Sequence, residues 1–192
     1  HCYLQPEPSN AIRNFIRSFA AEHQLSFYDI KAHTGWLRTL IIRTSSAGQV
    51  MVNITMGHDD EVARALLLDA LVKAFPAITT LLYTINPKWN DSIHDLEPQV
   101  YYGPGYITEW LEQFQFKISP KSFFQTNTQQ AEQLYQITRR FAALTGNEVL
   151  YDLYCGTGSI GIFCSPGARR IVGVEVVADA IADAKENAAL NK

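Results

Sequence analysis

The chain has 192 residues and a mass of 21.6 kDa, with 47% hydrophobic and 18% charged residues and a formal net charge of −3. This near-average composition fits one or two compact domains and excludes a disordered tail, a collagen-like repeat and a disulfide-dense scaffold. No apolar run approaches the roughly 18 uninterrupted residues of a membrane span, and no signal-peptide pattern opens the chain, so no membrane partner is expected. Cys2, Cys155 and Cys164 match neither a zinc spacing nor a secreted disulfide framework, and a cytoplasmic location is the expectation. Opening at His1 and stopping at Lys192, the sequence reads as a fragment.

Residues 9–23 place Ile12, Phe15, Ile16 and Phe19 at helical spacing behind Pro8 and Ser9, which predicts an amphipathic helix. Residues 36–44 and 49–56 read as strands around the turn 45–48, a hairpin. Helical spacing returns over 61–75, ending before Pro76, and 80–85 is a further strand. The Pro, Gly, Asp and Asn of 86–105 predict a loop or edge region, after which 106–111 and 113–119 look extended. Residues 1–120 are therefore expected to form an α+β domain with two helices and four or five antiparallel strands.

The pattern changes near Pro120. Residues 128–144 carry Ala131, Leu134, Tyr135, Thr138, Phe141 and Ala142 on one helical face, with Gly146 as the stop. Strand 148–154, a glycine run, a short helix to about Cys164, strand 170–175 and helix 178–190 follow. This β-α-β-α order is that of a parallel nucleotide-binding sheet, and residues 121–192 supply its first half.

Gly156, Gly158 and Gly161 form a GxGxxG at the strand-to-helix junction, and Glu175 lies 19 residues after the first glycine. Glycines let the backbone turn tightly and approach a ligand, and an acid at the end of the second strand accepts hydrogen bonds from ribose hydroxyls. These positions predict an adenosine-cofactor site. Asp152 selects the cofactor. A carboxylate before the glycines repels a pyrophosphate but suits S-adenosylmethionine, which carries a sulfonium and an ammonium group. Alternatively, Asp152 merely caps or braces the loop.

The run Tyr151-Asp-Leu-Tyr-Cys-Gly-Thr-Gly-Ser-Ile-Gly161, the following Gly173-Val-Glu175 and the upstream Phe123-Phe-Gln-Thr-Asn127 together resemble the bacterial RNA (uracil-5-)-methyltransferases. The resemblance runs from about Cys2 to Lys192 and is strongest over 119–190. It implies an α+β central domain that faces RNA, then the N-terminal half of a Rossmann-like class I methyltransferase domain using S-adenosylmethionine. It also implies cofactor contacts by Gln125, Tyr154 and Ser159, with Glu175 on the ribose. The expected partner is RNA, 23S rRNA in preference to tRNA, and a monomer is expected.

In that family a cysteine thiolate adds to C6 of the uracil, C5 takes the methyl group, and a base then removes the C5 proton. The nucleophile and the base lie in motifs further along than Lys192, so the resemblance implies that this stretch alone is inactive. No catalytic residue is assigned within it. Cys155 reads as a packed loop residue and Cys164 as a core residue. Cys2 resembles the last ligand of the iron–sulfur cluster found in some rRNA-specific members, but one cysteine holds no cluster and no metal ligand is assigned. Trp36, Arg38, Arg43, Lys88, Trp89, Tyr101 and Tyr102 mix aromatic and basic character in the first domain, without a pattern that marks any of them as touching RNA. The competing readings are a nicotinamide-dependent oxidoreductase, which the glycine spacing also fits, and a non-catalytic RNA-binding module.

Overall fold

In the computed structural model, which describes residues 2–192, the apolar spacing of the first segment becomes one buried helix face. Helix α1 (Ser9–Glu22) buries Ile12, Ile16 and Ala20. Strands β1 (Leu37–Thr44) and β2 (Val50–Met56) pair antiparallel around the expected turn, closed by the Gly48 amide donating to the Ser45 carbonyl at 3.0 Å. Asp60 caps helix α2 (Glu61–Ala74) by accepting from the Ala63 amide at 3.0 Å. Strand β3 (Ile78–Ile85) then pairs parallel to β2, and β4 (Gln99–Tyr102) pairs antiparallel to β3, giving the order β1-β2-β3-β4.

One expectation changes here. The sheet is mixed and not antiparallel throughout, because a helical crossover returns the chain to start β3 in the direction of β2. Strand β4 lies inside the stretch read as a loop or edge region and forms an edge of the sheet. The core is formed by Val50, Val52, Ile54 and Met56 from β2, Leu67, Leu68 and Leu71 from α2, and the buried face of α1. Burying each large aliphatic side chain contributes about 1.5–3 kcal/mol.

The chain divides into two compact units between Ile107 and Thr108, earlier than the boundary expected near Pro120. The hairpin strands β5 (Ile107–Leu111), from its second residue on, and β6 (Phe114–Ile118) go with the second unit, in which helix α5 (Ala178–Leu190) holds β6 through side-chain amides. The Asn187 Oδ1 accepts from the Lys117 amide at 2.7 Å, and the Asn191 Oδ1 accepts from the Gln115 amide at 2.8 Å. Each amide nitrogen donates back to the carbonyl of the same residue.

Helix α3 (Thr128–Ala142) is capped by Asn127 and ends on Ala143 in the left-handed conformation, φ +47°, ahead of the glycine expected to stop it. Its buried residues are Ala131 and Tyr135; Leu134 and Phe141, read on the same helical face, are exposed together with Ile137. Helical periodicity identifies a face that can be buried, and among the described residues nothing covers this part of it. Strands β7 (Val149–Leu153) and β8 (Arg170–Val174) pair parallel in the register Val149 with Arg170 through Leu153 with Val174. The short helix α4 (Ser159–Phe163) and one 3-10 turn connect them. No helix among the described residues is long and apolar enough to cross a membrane.

Candidate functional site

The site is built where β7 gives way to the glycine turn. Tyr154, Gly156 and Gly158 all have positive φ, +60°, +52° and +77°. At Gly156 a side chain would project into open space, and at Gly158 it would meet the Ala184 Cβ at 3.3 Å. Gly156 therefore leaves a bare, accessible backbone, and Gly158 lets α5 approach the loop. Tyr154 has no such licence. A non-glycine residue in the left-handed region is uncommon, and its ring is 89% exposed, so strain is held at this turn without burial of the side chain.

Glu175 closes the turn from the end of β8. One carboxylate oxygen accepts from the Gly156 amide at 3.0 Å; the other accepts from the Val176 and Val177 amides at 2.7 and 3.0 Å. The amides of Val177, Val176 and Gly156, in that order of weight, hold its carboxyl below the ordinary range, so it is ionised. Asp152 lies beneath the loop, and its Oδ2 accepts from the Gly161 amide at 2.8 Å. Burial pushes the Asp152 carboxyl up, and the Gly161 amide partly opposes the shift. The bracing role is thus real. It also occupies an N–H of the first turn of α4 with a carboxylate, which removes a donor a pyrophosphate would use.

A cavity of about 540 Å³ lies beside this turn, lined by Asp152, Cys155, Gly158, Glu175, Ile181 and Ala184 among others. Its volume falls within the range of small-ligand sites. Two carboxylates, the exposed Lys185 and an apolar wall suit a ligand with cationic, anionic and apolar parts. Burial, then Asp152 and Glu175, push the Cys155 thiol up, and burial pushes up the Cys164 thiol as well. Both shifts favour the protonated thiol, the less nucleophilic form.

Asp152, Gly156, Gly158 and Glu175 are therefore brought together. The Ser159 hydroxyl is within 3.0 Å of the Tyr135 hydroxyl, which makes it a link from α4 to α3. Gln125 is exposed in the loop before α3 and makes no hydrogen bond among the described residues, while the neighbouring Phe124 packs on Phe116 at 5.6 Å between ring centroids. Two supporting residues were not foreseen. Tyr135 stacks edge-on against Phe163, and the fully buried Asn187 donates to the Thr157 carbonyl of the glycine turn at 3.2 Å. The signal for Asn187 was present in the sequence: Asp183, Asn187 and Asn191 repeat at helical spacing on the face of α5 that should be buried.

Residues 98–192 match the family model described as tRNA (Uracil-5-)-methyltransferase. An uncharacterized RNA methyltransferase of Bacteroides thetaiotaomicron is 49% identical over all of this chain and 43% of its own length. Another, of Porphyromonas gingivalis, is 48% identical over 99% of this chain and 41% of its own length. The chain thus spans less than half the length of these relatives. The Pyrococcus abyssi tRNA (uracil-54, C5)-methyltransferase, solved in complex with S-adenosyl-L-homocysteine, is 24% identical with a TM-score of 0.72. That likeness covers 92% of this chain and 42% of the other, and shows a shared fold.

Proposed function

We propose that the protein, whose residues 98–192 match the tRNA (uracil-5-)-methyltransferase model, is of that family and transfers a methyl group from S-adenosylmethionine to C5 of a uridine in RNA. The observation that carries the choice of cofactor is the pair of carboxylates around the glycine turn. Asp152 places negative charge, and occupies an amide, where a dinucleotide would need positive potential. This arrangement disfavours the oxidoreductase reading.

The residues present fit the cofactor. Glu175 would accept from the ribose hydroxyls, its carboxylate already oriented by three amides. Gly156 and Gly158 would allow close approach of the backbone, and Asp152 would supply negative potential toward the cationic end. Tyr154, Ser159 and Gln125 complete the proposed set, with Ser159 acting from its Tyr135 partner and Gln125 from an exposed loop. The bound cofactor supplies an electrophilic methyl group. The target uracil must leave its stack to reach it, and its C5 needs activation by a nucleophile adding at C6. No residue described here is assigned that role.

The test is 5-methyluridine content, by mass spectrometry, in separated 23S rRNA and tRNA from a strain lacking the gene, and again after the gene is restored in a strain stripped of every paralogue. Loss from one pool identifies the substrate RNA. Full methylation in both pools of the deletion strain, with no gain on restoration in the stripped strain, would refute the proposal.

A further inference from the structure

The first unit holds a second cavity, of about 400 Å³, between α1 and the start of β1. Leu40 and Ile54 are among its apolar lining residues, Phe27 lines it with a ring more than half exposed, and Arg13 and Arg17 stand at its edge. These two arginines are one helical turn apart on α1, both exposed, and neither has a hydrogen bond or ion pair among the described residues. No acidic residue lines the cavity. In a chain with net negative charge this is a local concentration of free positive charge.

Arg38 forms a further part of the wall. Its guanidinium lies 3.9 Å from the Tyr28 ring centroid and donates to the carbonyls of Asn86, Lys88 and Asn90 and to Asp91. Its buried Nε has no partner. These bonds fix the segment that carries Trp89, whose exposed ring stacks on His33 at 4.7 Å and 11°. Three other residues of mixed aromatic and basic character are engaged elsewhere. Trp36 is buried with its indole N–H on the His58 carbonyl, Lys88 pairs with Asp95, and Tyr101 donates to Asp69.

We infer that this cavity is a docking site for a single-stranded segment of RNA, with a base against Phe27 and the adjoining phosphates on Arg13 and Arg17. The inference rests on the reading that the protein acts on RNA. Unpaired guanidiniums neutralise phosphates, and an open aromatic face accepts an unstacked base of any identity. The His33–Trp89 stack offers the next platform beyond the wall that Arg38 builds.

The experiment uses the full-length protein and a fluorescein-labelled oligouridylate, with affinity read by anisotropy over a salt series. The double variant R13Q/R17Q is expected to bind at least about tenfold more weakly at low salt. Its slope of log affinity against log salt should be shallower by about 1.4, the loss of two single-strand phosphate contacts. F27A, a truncation of an exposed side chain, is expected to weaken binding about 5- to 150-fold with the slope unchanged. Binding of S-adenosylhomocysteine, assigned to the other cavity and away from these arginines, reports that each variant is folded. Wild-type affinity and slope in folded variants of a protein that still methylates RNA would overturn the docking site and leave the enzymatic reading intact. A wild-type protein that neither binds nor methylates RNA would overturn both. Displacement of the RNA by polyglutamate at equal charge would identify a general anion surface and also overturn the inference.

Discussion

Asn187→Ala tests whether a buried amide supports the glycine turn. The side chain is fully buried and makes three hydrogen bonds: it accepts from the Lys117 amide at 2.7 Å and donates to the Lys117 and Thr157 carbonyls at 3.3 and 3.2 Å. Truncation strands one strongly bonded N–H, at a cost of about 1–3 kcal/mol, and removes two longer bonds worth about 0.5 kcal/mol each. The expected destabilisation is about 3 kcal/mol, measured by urea denaturation of the full-length protein. Asn191→Ala, which removes bonds at a less buried position, should cost about 1 kcal/mol. Because Thr157 lies in the turn, Asn187→Ala should also weaken S-adenosylhomocysteine binding. A loss below about 0.5 kcal/mol for Asn187→Ala, with ligand affinity unchanged, would refute the reasoning, since the orphaned donor alone exceeds that figure.

Glu175→Gln should lower S-adenosylhomocysteine affinity about tenfold or more by calorimetry, because an uncharged amide cannot accept through both atoms. The carboxyl of Glu175 is held low, so its hold on the turn is complete above the ordinary carboxylate range and is lost as pH falls through the lowered value. Amide exchange at Gly156, Val176 and Val177, corrected for intrinsic rates, should stay slow from neutral pH down through the ordinary carboxylate range and rise only below it. Asp152 is shifted the other way, so its ionisation opposes folding as pH rises through its raised value. Asp152→Asn keeps an oxygen for the Gly161 amide and should leave the thermal midpoint at pH 7 unchanged or higher. It should weaken S-adenosylmethionine more than the uncharged-sulfur product; an equal effect on both would refute a role toward the sulfonium. In the first unit, Leu68→Ala should cost about 2–5 kcal/mol in denaturant unfolding, since the side chain is wholly enclosed.

What was legible in the sequence is what local chemistry decides. The glycine turn and the acid at the end of β8 follow from strand–turn–helix–strand order, and the turn places Glu175 on Gly156 without help from distant residues. Asp152 was legible as a charge, and its bond to Gly161 joins two parts of the same motif. The bond between Tyr135 and Ser159 was not legible, because it depends on how α3 lies against α4. The direction of β3 escaped for a related reason: strand patterning is the same for parallel and antiparallel neighbours, and the helix between β2 and β3 carries the information. Leu134 and Phe141 show the converse limit, in which a correct helical period is compatible with an open face.

The grip of α5 on β6 also has a geometric meaning. Four residues along a helix advance about 6.0 Å, and two residues along a strand advance about 6.7 Å, so Asn187 and Asn191 meet Lys117 and Gln115 with little mismatch. Each amide offers one donor and one acceptor to a single residue, just as a neighbouring strand's backbone would. The helix therefore stands in for a strand along this margin of β6. Its amides occupy the groups on which another extended chain would add, guarding the strand against edge-to-edge association. They also define the register, since sliding β6 by one residue would turn the bonded groups of Gln115 and Lys117 away from both amides at once.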